Sequence, residues 1–198
     1  MKKIIFKLNS LTVHILLASL FFIIYSSHTL IRHYTLNSHA LDLGMYAQTV
    51  YLHSQGNLLP FNTLKHMILL ADHFGIILIP ISLIYKFFPS AATLLIIQAL
   101  FVSFSVIPLY LIIKHISKDI ILSLLFSISY LISPGIVSAI NFDFHLGTIS
   151  VLPISILLYT WYFKKWGAYW TVLIISLFFK EDLPFFLTGL GLYQLYVG

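Results

Sequence analysis

The sequence contains no cysteine and very little charge. The absence of cysteine from its 198 residues excludes disulfide bonds, thiolate metal sites and a cysteine nucleophile. Aspartate, glutamate, lysine and arginine make up only 9% of the residues, whereas a soluble globular domain carries about 25%. These are too few charged side chains to cover a water-exposed surface. A basic patch with interleaved aromatic residues is also missing, which argues against nucleic-acid binding.

Apolar residues fill the sequence instead. They make up 60% of it and recur in long runs, and a helix needs about 20 such residues to cross a bilayer. We therefore expect an all-α, polytopic membrane protein that forms a single transmembrane domain. Because the last run reaches Gly198 without a polar tail, we expect the N-terminal portion of a longer protein. The predicted spans are roughly residues 11–31, 91–113, 120–140, 146–163, 168–179 and 183–198.

The apolar segment 74–88 decides the predicted topology. Its 15 residues are too few for a span, and Pro80 interrupts them. If the segment crosses, the lysines and arginines divide five against six between the two sides. If it is a re-entrant helix within a loop of residues 32–90, they divide seven against four, as expected when basic residues gather in cytoplasmic loops. We therefore expect a cytoplasmic N-terminus in the cytoplasmic membrane and an external loop 32–90.

This topology places most polar chemistry on the external face. Of the six acidic residues, only Asp119 falls in a cytoplasmic loop, and six of the nine histidines fall outside. A water-filled, membrane-facing active site would be built in this way. The external acids are Asp42, Asp72, Asp143, Glu181 and Asp182.

Two polar segments belong to the long external loop. "LDLGMYAQTVYLHSQG" has the spacing of an amphipathic surface helix over residues 42–55, with Asp42 and Gln48 as its distinctive polar members. Asp42 is either a helix cap or a functional residue. "ADHFG" places Asp72 and His73 at the start of the short apolar segment. That pair is either a helix start beside a solvated histidine or part of a pocket.

Two further polar segments lie between predicted spans. In "NFDFHLG", Asp143 and His145 can reach one cation only if the backbone is extended or turned, so we expect a loop there. A carboxylate and an imidazole suit a divalent ion such as Mg²⁺ or Mn²⁺, although such pairs also mark the water boundary of a loop. "FFKEDLPFF" places Lys180, Glu181 and Asp182 between two short apolar runs, where charges usually face a cavity or one another.

The order of these motifs resembles a known family. The stretches "LDLGMYAQ", "DHFGIILIPISLIYKFFPS", "LLIIQALFVSFSVIPLYLI", "SPGIVSAINFDFH" and "LFFKEDLPFFLTGLGLY" are similar to the DUF2079-type family of bacterial and archaeal predicted multi-pass membrane proteins, a domain of unknown function. More distantly, that family resembles the GT-C glycosyltransferases, such as the protein mannosyltransferases and the aminoarabinose transferase. Those enzymes take a sugar from a polyprenyl-phosphate donor on the external side of the membrane. The resemblance implies a GT-C-like transmembrane helix bundle acting in the cell envelope.

The resemblance also implies roles for individual residues. Asp42 takes the place of the catalytic acid in the first external loop, and Asp143 that of the second acidic motif. The chemistry of its side chain, and not the resemblance, makes His145 a further candidate metal ligand. This sequence has one acid in its first-loop motif where several relatives pair two, and the pair of Asp143 with His145 is unusual. The residues expected to bind substrate or phosphate are Arg32, Gln48, Asp72, His73, Lys180, Glu181 and Asp182.

Two other functions stay open at this point. One is an ion-coupled transporter in which Lys180, Glu181 and Asp182 form a proton or ion relay. The other is a non-catalytic membrane assembly subunit. The partners expected for the enzyme are the lipid bilayer and a polyprenyl-phosphate-linked sugar, while the sugar and its acceptor are not specified by the sequence.

Overall fold

The computed structural model describes residues 10–38 and 40–197. Lys2, Lys3 and Lys7, on which the predicted orientation partly rests, lie outside the described residues. The described chain is almost entirely helical, with one antiparallel pair of two-residue strands and a 3-10 turn, Leu69–Ala71. The expected all-α membrane fold is confirmed. The elements are α1 (Ser10–Tyr34), α2 (Ala40–Ser54), β1 (Phe61–Asn62), β2 (Met67–Ile68), α3 (Leu78–Phe87), α4 (Ala91–Phe104), α5 (Val106–Ser117), α6 (Ile120–Leu131), α7 (Pro134–Asn141), α8 (Leu146–Ile149), α9 (Val151–Tyr162), α10 (Trp166–Ser176) and α11 (Leu183–Val197).

Two helices are long and apolar enough to cross a membrane. They are α1 and the continuous run of α4 and α5, Ala91–Ser117, whose 27 residues extend about 40 Å at 1.5 Å per residue. The pair α6 and α7, bent by 40° at its break, provides a third if the two count as one span. The other apolar helices are shorter, so the complete set of six predicted spans stays a prediction.

Two prolines account for interruptions in the long helices. Pro108 has no N–H to donate to the carbonyl of Phe104, and α4 gives way to α5 at the residue after Phe104. Pro153 likewise cannot donate to the carbonyl of Ile149, where α8 ends before α9 begins. Each break therefore follows from a missing backbone donor. The chain keeps its direction at both breaks, so each pair of helices forms one continuous run.

Helix α1 runs antiparallel to α4 and α5. Near its start, the Tyr110 hydroxyl donates to Ser10 Oγ over 2.7 Å, and further along, Ala18 packs with Val106. Near its end, Tyr25 packs with Ala99. The C-terminus of α1 and the N-terminus of α4 therefore lie at the same end of the bundle, which we call the acid end. We call the opposite end, where α5 finishes, the lysine end.

Residues 35–90 leave and return at the acid end and fold against it. Helix α2 packs on α3, and its Leu43, Tyr46 and Val50 are buried in one core cluster with residues of α3 and α4. Helix α3 starts at Leu78, four residues later than the predicted segment 74–88, with a loop before it. That loop is joined to the α10–α11 connection, because the Ile77 N–H donates to the Phe178 carbonyl over 3.0 Å.

The remaining turns alternate between the two ends. The α9–α10 turn lies at the lysine end, since His115 of α5 contacts Tyr162 and Phe163. The α7–α8 loop and the α10–α11 connection both lie at the acid end. The bundle thus gathers two loops and residues 35–90, with α2 and α3, at one end.

Candidate functional site

Side chains from four separate stretches of chain meet at the acid end. They come from α2, from the loop that precedes α3, from the α7–α8 loop and from the α10–α11 connection. The structure brings together eight of the ten predicted site residues at this end, together with two residues, Tyr46 and Gln98, that the sequence reasoning did not single out.

Tyr46 lies at the centre of this group. Its side chain is 1% exposed, and its ring centroid lies 6.3 Å from that of His73, 6.1 Å from that of His145 and 5.3 Å from that of Phe144. Burial raises the pKa of the Tyr46 hydroxyl well above its usual range, and the nearby carboxylate of Asp42 raises it further. Tyr46 stands four residues after Asp42, so the helical repeat puts both on one face of α2. That spacing was the signal that would have identified it.

The surroundings of His145 lower the pKa of its imidazole. Burial lowers the pKa of its ring, and the ammonium of Lys180 lowers it further, whereas the carboxylate of Asp42 opposes the shift. The Nδ1 atom is buried and has no hydrogen-bond partner among residues 10–38 and 40–197. A cationic and an anionic side chain therefore act on the same imidazole from two different segments.

Gln98 fixes the loop that carries Asp143 and His145. Its side chain is fully buried; Oε1 accepts the backbone N–H of His145 over 2.8 Å, and Nε2 donates to the backbone carbonyl of Asp143 over 3.4 Å. The backbone is extended at Phe142 and at His145, which confirms the predicted loop. An amide in the apolar run "LLIIQALF" was the available signal for this residue.

Two carboxylates at the acid end, Asp72 and Asp182, form ion pairs with lysines. Asp72 lies 2.8 Å from Lys65 Nζ, and the hydrogen bond from that ammonium lowers the pKa of Asp72. The Asp182 carboxylate lies 2.6 Å from Lys180 Nζ. Within the segment "FFKEDLPFF", Lys180 thus pairs with Asp182.

Glu181 binds the loop before α3. Its Oε1 lies 3.1 Å from His73 Nδ1, and its Oε2 accepts the backbone N–H of Phe74 over 3.1 Å. Burial on its own would raise the pKa of Glu181, but the hydrogen bonds from its own backbone, from His73 and from Phe74 outweigh burial and lower the pKa. Residues 108 positions apart in the sequence are joined in this way.

Asp42 differs from these three acids. It lies half-buried in the first turn of α2, and within the described part of the chain it makes no ion pair. Its charge acts on Tyr46 and His145. Asp42 is therefore placed to exchange a proton with a group that enters beside these two side chains.

Two predicted site residues have other positions. Arg32 donates to the backbone carbonyls of Asn141 and Asn37 and so fastens the end of α1 to the end of α7. The Gln48 side chain accepts the backbone N–H and the hydroxyl of Thr63, at 3.2 and 3.1 Å, and holds the strand pair against α2. Both contacts stabilise the loops around the site, and neither side chain joins the central group.

The described residues do not contain a metal site of three or more His, Asp or Glu side chains. Asp143 is 1% exposed, and the charges that shift the pKa of His145 come from Lys180, Asp42, His73 and Asp182. A two-residue donor set does not fit a divalent cation without further ligands. The predicted metal ligation by Asp143 and His145 stays a prediction, and we derive no step through a metal.

A family model for a predicted membrane protein (DUF2079) matches residues 32–197. The chain belongs to the DUF2079 family. This confirms the resemblance that the motif order predicted, and the match covers every candidate site residue. Neither a curated protein nor a solved structure matches the chain. Membership of DUF2079 establishes a membrane protein and no activity, so the likeness to GT-C enzymes, the transporter and the assembly subunit all stay predictions.

Proposed function

We propose that this chain carries the active site of a GT-C-like glycosyltransferase, which transfers a sugar from a polyprenyl-phosphate donor to an acceptor hydroxyl. The proposal rests on the burial and the charge environment of Asp42. Among the described residues it is a half-buried carboxylate without an ion pair, and a cation, Lys180, acts on the same imidazole as Asp42 does. A transferase of this type needs both a base and a cation.

The proposed orientation follows from the path of the chain. Because α1 is antiparallel to α4 and α5, residues 35–90 leave and return at one end, which supports an α3 that does not cross the membrane. The lysine end carries Lys114, Lys118, Lys164 and Lys165, which favours a cytoplasmic location for it. We therefore assign the acid end to the external face of the cytoplasmic membrane.

The chemical step is a displacement at the anomeric carbon. The acceptor hydroxyl oxygen forms a bond to that carbon while the bond from the carbon to the phosphate oxygen breaks, and the electron pair leaves with the polyprenyl phosphate. Asp42 takes the hydroxyl proton as general base, which typically contributes 10²–10⁴-fold to a rate. With a single base and no covalent intermediate, the configuration at the anomeric carbon is inverted.

Lys180 is the cation for the departing phosphate. Its side chain is 19% exposed, whereas its partner Asp182 is 59% exposed, so the carboxylate can turn away when an anion arrives. A Cβ added at Gly147 would lie 3.9 Å from Lys180 Nζ, and the glycine therefore leaves room beside the ammonium. A charge-assisted contact at this place stabilises the negative charge that develops on the leaving group.

The proposal is tested by sugar transfer in membranes that contain the protein. A panel of radiolabelled polyprenyl-phosphate hexoses and pentoses is the donor, and labelled product in the membrane and envelope fractions is counted. We expect Asp42→Asn to lower transfer at least about 100-fold, because the base is lost.

The matched control is Asp119→Asn at the lysine end. Asp119 caps α6 through Oδ1, 2.7 Å from the Ile121 N–H, and asparagine caps a helix equally well, so transfer should be unchanged. Wild-type transfer by a well-folded Asp42→Asn protein would remove Asp42 from the mechanism. Failure of the wild-type protein to transfer any of these sugars would reject the proposed function.

A further inference from the structure

A groove at the lysine end combines an apolar floor with cationic walls. It lies between the last turns of α5 and the α9–α10 turn and has a volume of about 430 Å³. Its lining residues are Leu111, Lys114, His115, Lys118 and Phe163. The groove is at the opposite end of the bundle from Asp42 and is independent of the proposed transferase.

The positive charge around this groove is not neutralised by an acidic side chain of the described residues. Of the described acidic residues, Asp119 is the one at this end, and its carboxylate is occupied by the backbone N–H groups of Ile121 and Leu122. None of the four lysines of the lysine end forms an ion pair with another described residue. The positive charge is therefore available to an anion from outside the chain.

The backbone at two of these lysines is in the left-handed region. Lys118 ends α5 and Lys164 follows α9, each with φ of 53°, a conformation that glycine adopts without penalty and that costs other residues about 1 kcal/mol. A lysine complements the helix dipole from any place in the last turn, so the dipole does not require it at the left-handed residue. Of the two, Lys118 lines the groove and Lys164 does not.

We propose that this groove binds the headgroup of an anionic phospholipid. The Lys114 ammonium donates to Ser10 Oγ and lies 5.7 Å from the Tyr110 ring centroid. Its remaining N–H groups and the Lys118 ammonium donate to the phosphate, and an acyl chain covers Leu111 and Phe163. The Tyr162 hydroxyl is 3.1 Å from His115 Nδ1, which leaves Nε2 of that ring to donate to a phosphate oxygen. Because the groove flanks a helix long enough to span the membrane, a lipid reaches it by diffusion within the leaflet.

The three tryptophans of the chain provide the probe. Trp161, Trp166 and Trp170 all belong to the α9–α10 region, at or beside the turn that forms one wall of the groove. The protein is reconstituted in vesicles of dioleoyl phosphatidylglycerol and dioleoyl phosphatidylcholine, with either lipid brominated in turn. Quenching of tryptophan fluorescence then measures the preference for the anionic lipid over the zwitterionic one.

We expect the wild-type protein to prefer phosphatidylglycerol and Lys118→Gly to lower that preference about fivefold, the factor that one lysine contributes at an anionic surface. Glycine suits the left-handed backbone at this position, so the variant keeps the end of α5 intact. Lys118→Arg keeps the charge and should keep the preference. The matched control, Lys86→Gln, removes a cation from α3 at the acid end and should change nothing.

An unchanged preference for phosphatidylglycerol in Lys118→Gly would overturn the proposal, and so would an equal loss of that preference in Lys86→Gln. Displacement of the lipid by inorganic phosphate, at an ionic strength where chloride has no effect, would also overturn it. The last outcome would indicate a site for free phosphate instead of a lipid. Should Lys118→Gly fail to reconstitute, Lys118→Gln removes the same positive charge and keeps most of the side-chain length, and its result decides.

Discussion

Gln98 should be worth more to this structure than any charged residue of the acid end. Replacing it by leucine keeps the approximate volume and removes the hydrogen bonds to the Asp143–His145 loop. The backbone N–H of His145 loses a 2.8 Å acceptor, and a buried donor without a partner costs about 1–3 kcal/mol. The two donor contacts of Nε2, to the Asp143 and Ala139 carbonyls, are 3.4 Å long and add about 1 kcal/mol together. We expect Gln98→Leu to lower the free energy of unfolding by about 2–4 kcal/mol.

This expectation is checked by denaturant unfolding in detergent micelles, together with hydrogen exchange at the His145 amide. Exchange should accelerate because the N–H loses its partner. The control is Ser103→Ala on the same helix, whose buried hydroxyl has no hydrogen-bond partner among the described residues, so its removal should be close to neutral. Unchanged stability and unchanged exchange in Gln98→Leu would refute the role of the amide as a clamp.

Three further predictions concern the same end of the bundle. Lys180→Met should raise the pKa of His145 toward its ordinary value of 6.5, because a nearby positive charge is removed. An NMR titration measures the change, and an unchanged pKa would show that Lys180 does not act on His145. Because folding lowers the pKa of His145, its contribution to the free energy of unfolding is present above pH 6.5 and lost as the pH falls below that value. The unfolding curves of His145→Gln should lack this part of the pH dependence. A Cβ at Gly75 would lie 2.5 Å from Leu146 Cδ1, and Gly75→Ala should cost about 1–3 kcal/mol by overpacking, whereas Gly147→Ala, with its nearest contact at 3.7 Å, should be nearly neutral in unfolding experiments.

The sequence was sufficient for the all-α membrane class, the family and the extended loop at Asp143. Each depends on features that are local in the sequence, namely apolar runs, motif order and the spacing of two polar residues. It was also sufficient to single out the polar residues that gather at the acid end. The sequence did not show which of these side chains contact one another. His73 contacts Glu181 across 108 positions, and no local feature distinguishes that pair from others.

Arg32 and Gln48 show a related limit. Gln48 was singled out as a polar member of the surface helix and Arg32 as a cation for the departing phosphate, and both roles stay predictions. In the structure each binds backbone groups of a neighbouring segment, Arg32 at Asn141 and Gln48 at Thr63. Which way a side chain of a helix end turns depends on how the next segment packs, which a single sequence does not show.

The contacts at the acid end separate into two kinds with different consequences. The ion pairs are partly exposed, and exposed pairs contribute little to stability. The contacts that join the segments instead involve backbone groups: Ile77 with Phe178, Arg32 with Asn141, and Gln98 with the Asp143–His145 loop. None of these three contacts involves a carboxylate, so the proposed transfer of a proton to Asp42 would leave them in place. The proposed transferase would need such a frame, since its reacting groups must accept a proton and release an anion without loosening the fold.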